Sequence, residues 1–203
     1  MKLYDAEFAP SPRRVRIFMA EKGLTEVEKI AMNLREGDNL SDTFRQKNAL
    51  QKVPVLELDD GTCISEAAAI YRYLEELVPE PPLLGRDALE KARIEMWDRR
   101  LEFAFLYPAF QSFQHSSGIF SDRMTPVAEW GMEARNVAQQ FFSILEQQLA
   151  TSTYVAGEQF SAADITAVVT LDFAKVIKLR ADEQYPNILR WHELIKQRPS
   201  YGA

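Results

Sequence analysis

The residues best suited to chemistry lie in one stretch of the chain, KVPVLELDDGTCISEAAAIYRYL, from Lys52 to Leu74. Pro54 lies where a loop meets a predicted strand, a position that suits proline because proline cannot donate a hydrogen bond to a sheet. A cis peptide bond can be held there. Further on, Ser65 and Glu66 begin a predicted helix, whose free amides and positive dipole end attract a carboxylate. The stretch therefore predicts a binding site for a small, peptide-like acid.

The composition excludes several classes of protein. The formal net charge is −6 and the pI is about 5.1, whereas nucleic-acid binders are basic. No apolar run approaches the roughly 20 residues that span a membrane. Cys63 is the single cysteine and only two histidines are present, so neither a disulfide nor a zinc site is expected. The first residues lack the pattern of a signal peptide, and we expect a cytoplasmic protein that binds no nucleic acid, membrane or metal.

The first half of the chain alternates strand and helix signals. Ser11 and Pro12 predict a helix start, with serine as N-cap and proline at the first helical position, and Gly23 predicts its end. The hairpin signal Asp59-Asp60-Gly61 separates two short strands. The predicted elements are strands at Lys2–Asp5, Val27–Met32, Val53–Leu58 and Thr62–Ile64, and helices at 11–23, 41–48 (capped by Ser41) and 66–77.

The second half reads as helices only. Residues 79–86 are rich in proline and form a predicted linker between a domain at 1–78 and a domain at 87–203. The predicted helices are 87–116 with a kink at Pro108, 125–150 capped by Thr125 and Pro126, 161–179 with a capping box of Ser161 and Asp164, and one from Pro186 to before Pro199. An α/β half followed by an all-α half is the expected fold class.

The chain resembles the cytosolic glutathione transferases, of the bacterial theta- or eta-like kind. The resemblance spans nearly the whole sequence, through KLY, SPRRVRIFMAEKGL, the Lys52–Leu74 stretch, the proline-rich linker and FSAADIT. It implies a thioredoxin-like N-terminal domain, a helical C-terminal domain, and a two-fold homodimer that binds glutathione as co-substrate, one molecule per subunit.

The resemblance also implies which residues hold glutathione. Val53 would lend its backbone N–H and C=O to the cysteinyl unit, Pro54 would shape that edge, and Lys52 would approach the glycyl carboxylate. Glu66 and the amide of Ala67 would hold the γ-glutamyl end. The family usually has serine where this chain has Ala67, and we expect the lost hydroxyl to weaken binding by about 1 kcal/mol. Ser65 could replace it only if the helix began earlier.

Four further residues of the first domain are candidates by the same resemblance. A hydroxyl near a helix N-terminus can lower the pKa of a thiol, which assigns this role to Ser11, with Tyr4 as the less favoured alternative because it lies in a strand. Phe8 is expected at the mouth of the site, and Asn39 is a candidate partner for the glycyl end. The nearby arginines Arg13, Arg14 and Arg16 oppose the helix dipole, which indicates either a nearby anion such as a carboxylate of the ligand or, as the favoured interpretation, a solvated face paired with Glu7 and Glu21.

In the helical half, Tyr107 and Phe110 are candidates for an apolar substrate pocket, although aromatic residues at helical spacing more often belong to a core. The expected function is conjugation of the glutathione thiol to apolar electrophiles, in detoxification. Peroxide reduction, isomerisation and dehalogenation would use the same site. A non-enzymatic relative that binds a ligand or a protein is the alternative from another class.

Overall fold

The computed structural model describes all 203 residues, and the chain divides into two compact units. Met1–Leu83 together with Gly202–Ala203 form unit 1, and Leu84–Tyr201 form unit 2. None of the helices is both long and apolar enough to cross a membrane. The predicted fold class is confirmed, because unit 1 mixes strands with helices and unit 2 is built from helices.

A four-stranded mixed sheet forms the centre of unit 1. Its strands are β1 (Lys2–Asp5), β2 (Glu28–Ala31), β3 (Val55–Glu57) and β4 (Cys63–Ser65), in the spatial order β2-β1-β3-β4. β1 runs parallel to β2 and antiparallel to β3, and β4 runs antiparallel to β3. The parallel pair is joined by a helix, as parallel neighbours require a crossover connection.

Three helices cover the two faces of this sheet: α1 (Pro10–Glu21), α2 (Asp42–Lys47) and α3 (Ala67–Leu77). Helices α1 and α3 pack together through Phe18 and Tyr71, whose rings stack with centroids 4.3 Å apart. Because side chains alternate along a strand, Leu3 of β1 is buried while the adjacent Tyr4 meets Phe44 of α2, with ring centroids 5.6 Å apart.

Of the helix ends predicted in unit 1, two are confirmed by the structure and one is wrong. Ser41 accepts a hydrogen bond from the Phe44 amide and caps α2, and Gly23 ends α1 at a φ of +68°. The prediction that Ser11 caps α1 is wrong, because the helix begins at Pro10 and Ala9 occupies the N-cap position. Pro10 has the fixed φ that suits a first helical residue, so the helix starts one proline earlier than expected.

Unit 2 contains five α-helices, of which α7 is the most deeply buried. They are α4 (Ala88–Leu101), α5 (Tyr107–Ser117), α6 (Ala128–Leu149), α7 (Ala162–Ala174) and α8 (Pro186–Lys196), with a π-helical turn at Glu102–Leu106 and a 3-10 turn at Lys175–Ile177. A last 3-10 turn, Pro199–Gly202, ends with a residue of unit 1. The capping box at the start of α7 is confirmed. Asp164 accepts hydrogen bonds from the Val155 amide and the Trp191 indole, both at 2.9 Å. Burial raises the pKa of this carboxyl to about 6 against the opposing effect of these donors.

One local prediction in unit 2 is refined and another needs correction. The helix predicted at 87–116, with a kink at Pro108, is interrupted just before that proline by the π-helical turn, in which the Tyr107 amide donates to the Glu102 carbonyl. A widened turn accommodates a proline, whose ring would clash with the carbonyl four residues earlier in a regular helix. Thr125 and Pro126 do not cap α6, which starts at Ala128 after an N-cap at Val127. The Val127 amide donates instead to Nδ1 of His115, at 3.0 Å.

Gly85, which precedes α4, provides a test of the backbone packing. Its φ is +93°, and a Cβ placed on it would lie 2.8 Å from the Lys91 backbone nitrogen. Gly61 has a similar φ of +87°, but a Cβ there would have nothing within 4 Å. We expect Gly61→Ala to cost about 1–2 kcal/mol for the left-handed backbone. Gly85→Ala should cost about 1–3 kcal/mol more through overpacking, measured by chemical denaturation. Equal losses for the two variants would contradict this account.

Candidate active site

The candidate site is assembled by the register of the sheet in unit 1. Tyr4 of β1 pairs with Val55 of β3, and Val55 pairs in turn with Ser65 of β4. Because β3 runs antiparallel to both neighbours, the end of β1, the start of β3 and the end of β4 share one edge of the sheet. The segments that hold Phe8 and Ser11, Val53 and Pro54, and Glu66 and Ala67 therefore all leave the sheet at that edge.

The loop after β2 reaches the same edge. β2 is parallel to β1, Asp5 pairs with Ala31, and the Met32 amide donates to the Asp5 carbonyl at 2.7 Å. This loop carries Asn39, whose side-chain amide donates to the Gln51 carbonyl at 2.8 Å. All eight predicted residues of the first domain are thus on segments that converge, although they are dispersed along the sequence.

Val53 and Pro54 form an open backbone edge. The peptide bond between them is cis, and strand pairing begins only at Val55. No hydrogen bond joins the Val53 N–H or C=O to another part of the chain. An extended peptide can pair with such an edge in the manner of an added strand.

Gln51 is a further candidate site residue, which the sequence did not reveal. Its φ is +53°, unusual for a residue with a side chain, and its side-chain nitrogen Nε2 is buried without a hydrogen-bond partner. Oδ1 of Asn39 is likewise buried and without a partner. A buried polar group without a partner is rare in a folded protein, so these two atoms mark a place where a ligand could supply the missing hydrogen bonds. Gln51 carried no sequence signal beyond its place before Lys52, which is itself exposed.

The start of α3 presents both an acidic side chain and free amides. Glu66 is exposed and has a φ of +71° and a ψ of 122°, and its side chain does not cap the helix. Strained backbone of this kind concentrates at functional sites. The Ile70 amide bonds to the Glu66 carbonyl, so the amides before it, from Ala67 to Ala69, are the free donors of the first turn. Ser65 belongs to β4, so the earlier helix start that would let it replace the missing hydroxyl does not occur.

The start of α1 presents donors from a single residue. Pro10 and Pro12 have no N–H, and the Arg13 amide donates to the Ala9 carbonyl at 3.3 Å. The Ser11 amide is therefore the one free backbone donor of this turn, and the Ser11 hydroxyl lies beside it. Phe8, in the preceding turn, is 91% exposed. The positive end of the α1 dipole is thus concentrated at Ser11.

Tyr4, the alternative to Ser11, has other partners. Its hydroxyl donates to Glu57 at 2.6 Å, and Lys47 donates to the same carboxylate oxygen at 2.8 Å. Burial, followed by the hydrogen bond to Glu57, raises the pKa of Tyr4. The Lys47 ammonium, followed by the Tyr4 hydroxyl, lowers the pKa of Glu57. Tyr4 therefore connects β1, β3 and α2 and has a structural role.

The interpretation of the α1 arginines as a solvated face is wrong for two of the three. Arg16 is 8% exposed, and its guanidinium pairs with the Asp5 carboxylate at 2.5 Å and donates to the Glu7 carbonyl at 2.9 Å. Arg14 is 1% exposed and lies over the Tyr71 ring, 5.9 Å from its centroid. These cations fix the loop after β1 and the contact between α1 and α3, which charge spacing alone could not indicate.

The two predicted pocket residues lie in unit 2. Tyr107 is 55% exposed at the first position of α5. Phe110 is half-buried, and its ring centroid lies 6.3 Å from that of Phe173 of α7. Phe113 also contacts Phe173, with centroids 5.6 Å apart. Phe110 therefore belongs partly to an aromatic cluster of the helical unit.

Comparison with known proteins identifies the family. Residues 3–82 match the model described as Glutathione S-transferase, N-terminal domain, and residues 103–199 match Glutathione S-transferase, C-terminal domain. The chain is 38% identical to Glutathione S-transferase 2 of Saccharomyces cerevisiae, over 98% of this chain and 87% of that protein. The chain belongs to the glutathione S-transferase family. Its two matched domains lie on either side of the boundary between unit 1 and unit 2.

Two solved glutathione S-transferase structures are close to this one. The crystal structure of Gtt2 from Saccharomyces cerevisiae has a TM-score of 0.95 and 38% identity, and covers 100% of this chain and 99% of that chain. A glutathione S-transferase of class Gtt2 from Vibrio parahaemolyticus has a TM-score of 0.88 and 45% identity, over 100% of this chain and 96% of that chain. The resemblance inferred from the sequence motifs is confirmed.

The buried pair of Arg16 and Asp5 should be essential for this edge of the glutathione S-transferase domain. We expect Arg16→Met to lower the free energy of unfolding by about 3–5 kcal/mol, because it leaves the Asp5 carboxylate buried and unpaired. The double variant Asp5→Leu, Arg16→Met should recover most of that loss. Lys196→Met, which removes an exposed ion pair with Glu193, is the control and should change stability little. A double variant as unstable as Arg16→Met would contradict the electrostatic explanation.

Proposed function

We propose that this chain conjugates the thiol of glutathione to apolar electrophiles. One observation carries the proposal. The unpaired backbone of Val53, the N-termini of α1 and α3, and the Glu66 side chain all lie at the same edge of the sheet in a member of the glutathione S-transferase family. Glutathione has a peptide backbone, two carboxylates, an amine and a thiol, and each has a complementary group at this edge.

The open edge at Val53 would pair with the cysteinyl unit of glutathione, with Pro54 shaping the turn. The amides of Ala67 and its neighbours would hold the γ-glutamyl carboxylate, and the Glu66 carboxylate its amine. Gln51 supports a site for the glycyl carboxylate, because its buried Nε2 is a donor without a partner. Lys52 would add a positive charge there, and Asn39 would act from the neighbouring loop.

Ser11 would stabilise the ionised thiol. Its hydroxyl and its amide are both donors at the positive end of α1, and a donor to a thiolate favours the charged form, which lowers the thiol pKa. The thiol proton passes to solvent, and the bound thiolate then forms a bond to the electrophilic carbon. In an aryl halide the carbon–halogen bond breaks with its electron pair, and the halide ion leaves to solvent. Holding the nucleophile at a fixed position contributes through proximity as well as through its pKa.

Ala67 would form fewer hydrogen bonds with the γ-glutamyl end of glutathione than the serine that the family usually has at this position. The loss is one hydroxyl donor, about 1 kcal/mol, while the backbone amide is retained. We therefore propose a site that binds glutathione with reduced affinity.

The apolar electrophile would be received by the helical unit, where Tyr107 and Phe110 are the candidate contacts. The single, half-buried Cys63, without a disulfide partner, supports function in the reducing cytoplasm.

Calorimetric titration of glutathione, followed by turnover assays with aryl halides, peroxides and isothiocyanates, tests the proposal. We expect glutathione to bind at millimolar concentration or tighter, and at least one of these classes of electrophile to be turned over. Ser11→Ala should raise the pKa of the bound thiol by about one unit, equivalent to 1.4 kcal/mol of thiolate stabilisation, and slow conjugation accordingly. The thiol pKa is read from the ultraviolet absorbance of the thiolate.

Ser143→Ala, which changes an exposed serine of α6, is the matched control and should leave the thiol pKa unchanged. An unchanged pKa in Ser11→Ala removes Ser11 from the catalytic role. Absence of glutathione binding together with absence of turnover for every electrophile rejects the enzyme and favours a non-enzymatic relative.

We also propose that the chain forms a homodimer. One face of α4 and the turn after it carries Leu89, Met96 and Phe103, which are two helical turns apart and 59%, 40% and 65% exposed. An exposed apolar stripe of this kind is typical of an interaction surface.

Light scattering tests this proposal. We expect the wild-type chain to be a dimer and the Met96→Glu variant to be a monomer, because a charge in the stripe opposes its burial. Met132→Glu, at a 61% exposed methionine of α6, is the control that should remain dimeric. A monomeric wild-type chain would reject the proposal.

A further inference from the structure

Two asparagine side chains hold two successive carbonyl groups in the segment that leads to the Val53 edge. Nδ2 of Asn39 donates to the Gln51 carbonyl at 2.8 Å, and Nδ2 of Asn48 donates to the Lys52 carbonyl at 2.8 Å. The two asparagines come from different elements, since Asn39 lies in a 3-10 turn at Asp38–Leu40 and Asn48 is the C-cap of α2. The backbone just before Val53 is thus fixed from two sides.

Asn48 makes further contacts with the same loop. Its Oδ1 accepts from the Leu50 amide at 3.1 Å, and its backbone carbonyl accepts from the Gln51 amide at 2.8 Å. The side chain is buried, with 7% of the residue exposed. One asparagine therefore binds the amides of two loop residues and the carbonyl of a third, which uses both the donor and the acceptor of its side chain.

The loop needs this restraint because its conformation is unfavourable by itself. Gln51 has a left-handed backbone, which residues with a Cβ avoid, and Leu50 is 68% exposed, so burial of its side chain does not hold the loop. The Val53 backbone makes no hydrogen bond of its own in the chain. The direction of its N–H and C=O is consequently set by the bonds on the preceding residues and by Pro54.

We propose that Asn48, assisted by Asn39, is a positioning residue that presents the Val53 backbone to glutathione. This inference rests on the proposed function, because it assigns a role in binding the same co-substrate. Asn48 contacts no reacting atom, and acts through the Lys52 carbonyl and the Leu50 amide. Its removal frees the loop to leave the left-handed conformation at Gln51, and glutathione then has to order the loop when it binds.

The test compares Asn48→Leu, which removes both side-chain bonds at similar volume, with Asn187→Leu. Asn187 is a matched control because its Nδ2 donates to Glu146 at 2.6 Å, within unit 2. We expect Asn48→Leu to raise the Kd and the KM for glutathione about tenfold, with little change in kcat at saturating glutathione. Asn187→Leu should lower thermal stability without changing the Kd. An unchanged Kd in Asn48→Leu overturns the inference.

A measurement without glutathione separates this inference from the proposed function. Amide hydrogen exchange should become faster at Leu50 and Gln51 in Asn48→Leu, with a changed chemical shift at Val53, and neither should change in Asn187→Leu. Asn48→Asp keeps the acceptor for the Leu50 amide but loses the donor to the Lys52 carbonyl. In this variant the Leu50 amide should still exchange slowly, while glutathione should bind as weakly as in Asn48→Leu. That result would assign the loss of affinity to the hydrogen bond with the Lys52 carbonyl.

If the wild-type chain fails to bind glutathione, the proposed function is rejected. The exchange rates then still test whether Asn48 restrains the loop, because they are measured without glutathione. Unchanged exchange and shifts in Asn48→Leu overturn that role in either case. Loosening confined to residues 50–53 supports it.

Discussion

The pairing of Tyr4, Val55 and Ser65 across three strands is the constraint on which the candidate site depends. A shift of one residue in either pairing would turn the side chains of a strand to the opposite face of the sheet and displace the segments that follow it. The buried Leu3 and Leu56 oppose such a shift, because each would become exposed. The hydrophobic core of unit 1 thereby determines the relative placement of Ser11, Val53 and Glu66.

Most of the groups offered at this edge belong to the backbone. Val53 contributes an N–H and a C=O, α3 contributes its first amides, and Ser11 contributes an amide beside its hydroxyl. Backbone groups persist when side chains change, so the first amides of α3 stay available although the side chain of Ala67 has no hydroxyl. The cost lies in backbone conformation, because Gln51 and Glu66 both have positive φ values. The hydrogen bonds of Asn39 and Asn48 restrain the strained backbone at Gln51.

Buried ionic and polar groups have a supporting role in both units. Lys22 pairs with Glu75 of α3 and donates to the Pro81 carbonyl, so the C-terminus of α1, α3 and the segment after α3 are joined by one ammonium group. In unit 2, Asp164 joins the start of α7 to the Val155 amide and to Trp191 of α8. Each of these charges is buried with several partners, which is the condition under which a buried charge is tolerated.

Local chemistry in the sequence determined the order of elements, the caps at Ser41 and Ser161, the stop at Gly23 and the strand edge at Pro54, because each depends on neighbours within a few residues. The family motifs were readable for the same reason. Only the tertiary structure decided that Arg14 and Arg16 are buried, and that the side chain of Asn39 reaches Gln51. Those features depend on partners outside the local segment, Tyr71 for Arg14, Asp5 for Arg16 and Gln51 for Asn39, and they are fixed by packing and register rather than by local propensity.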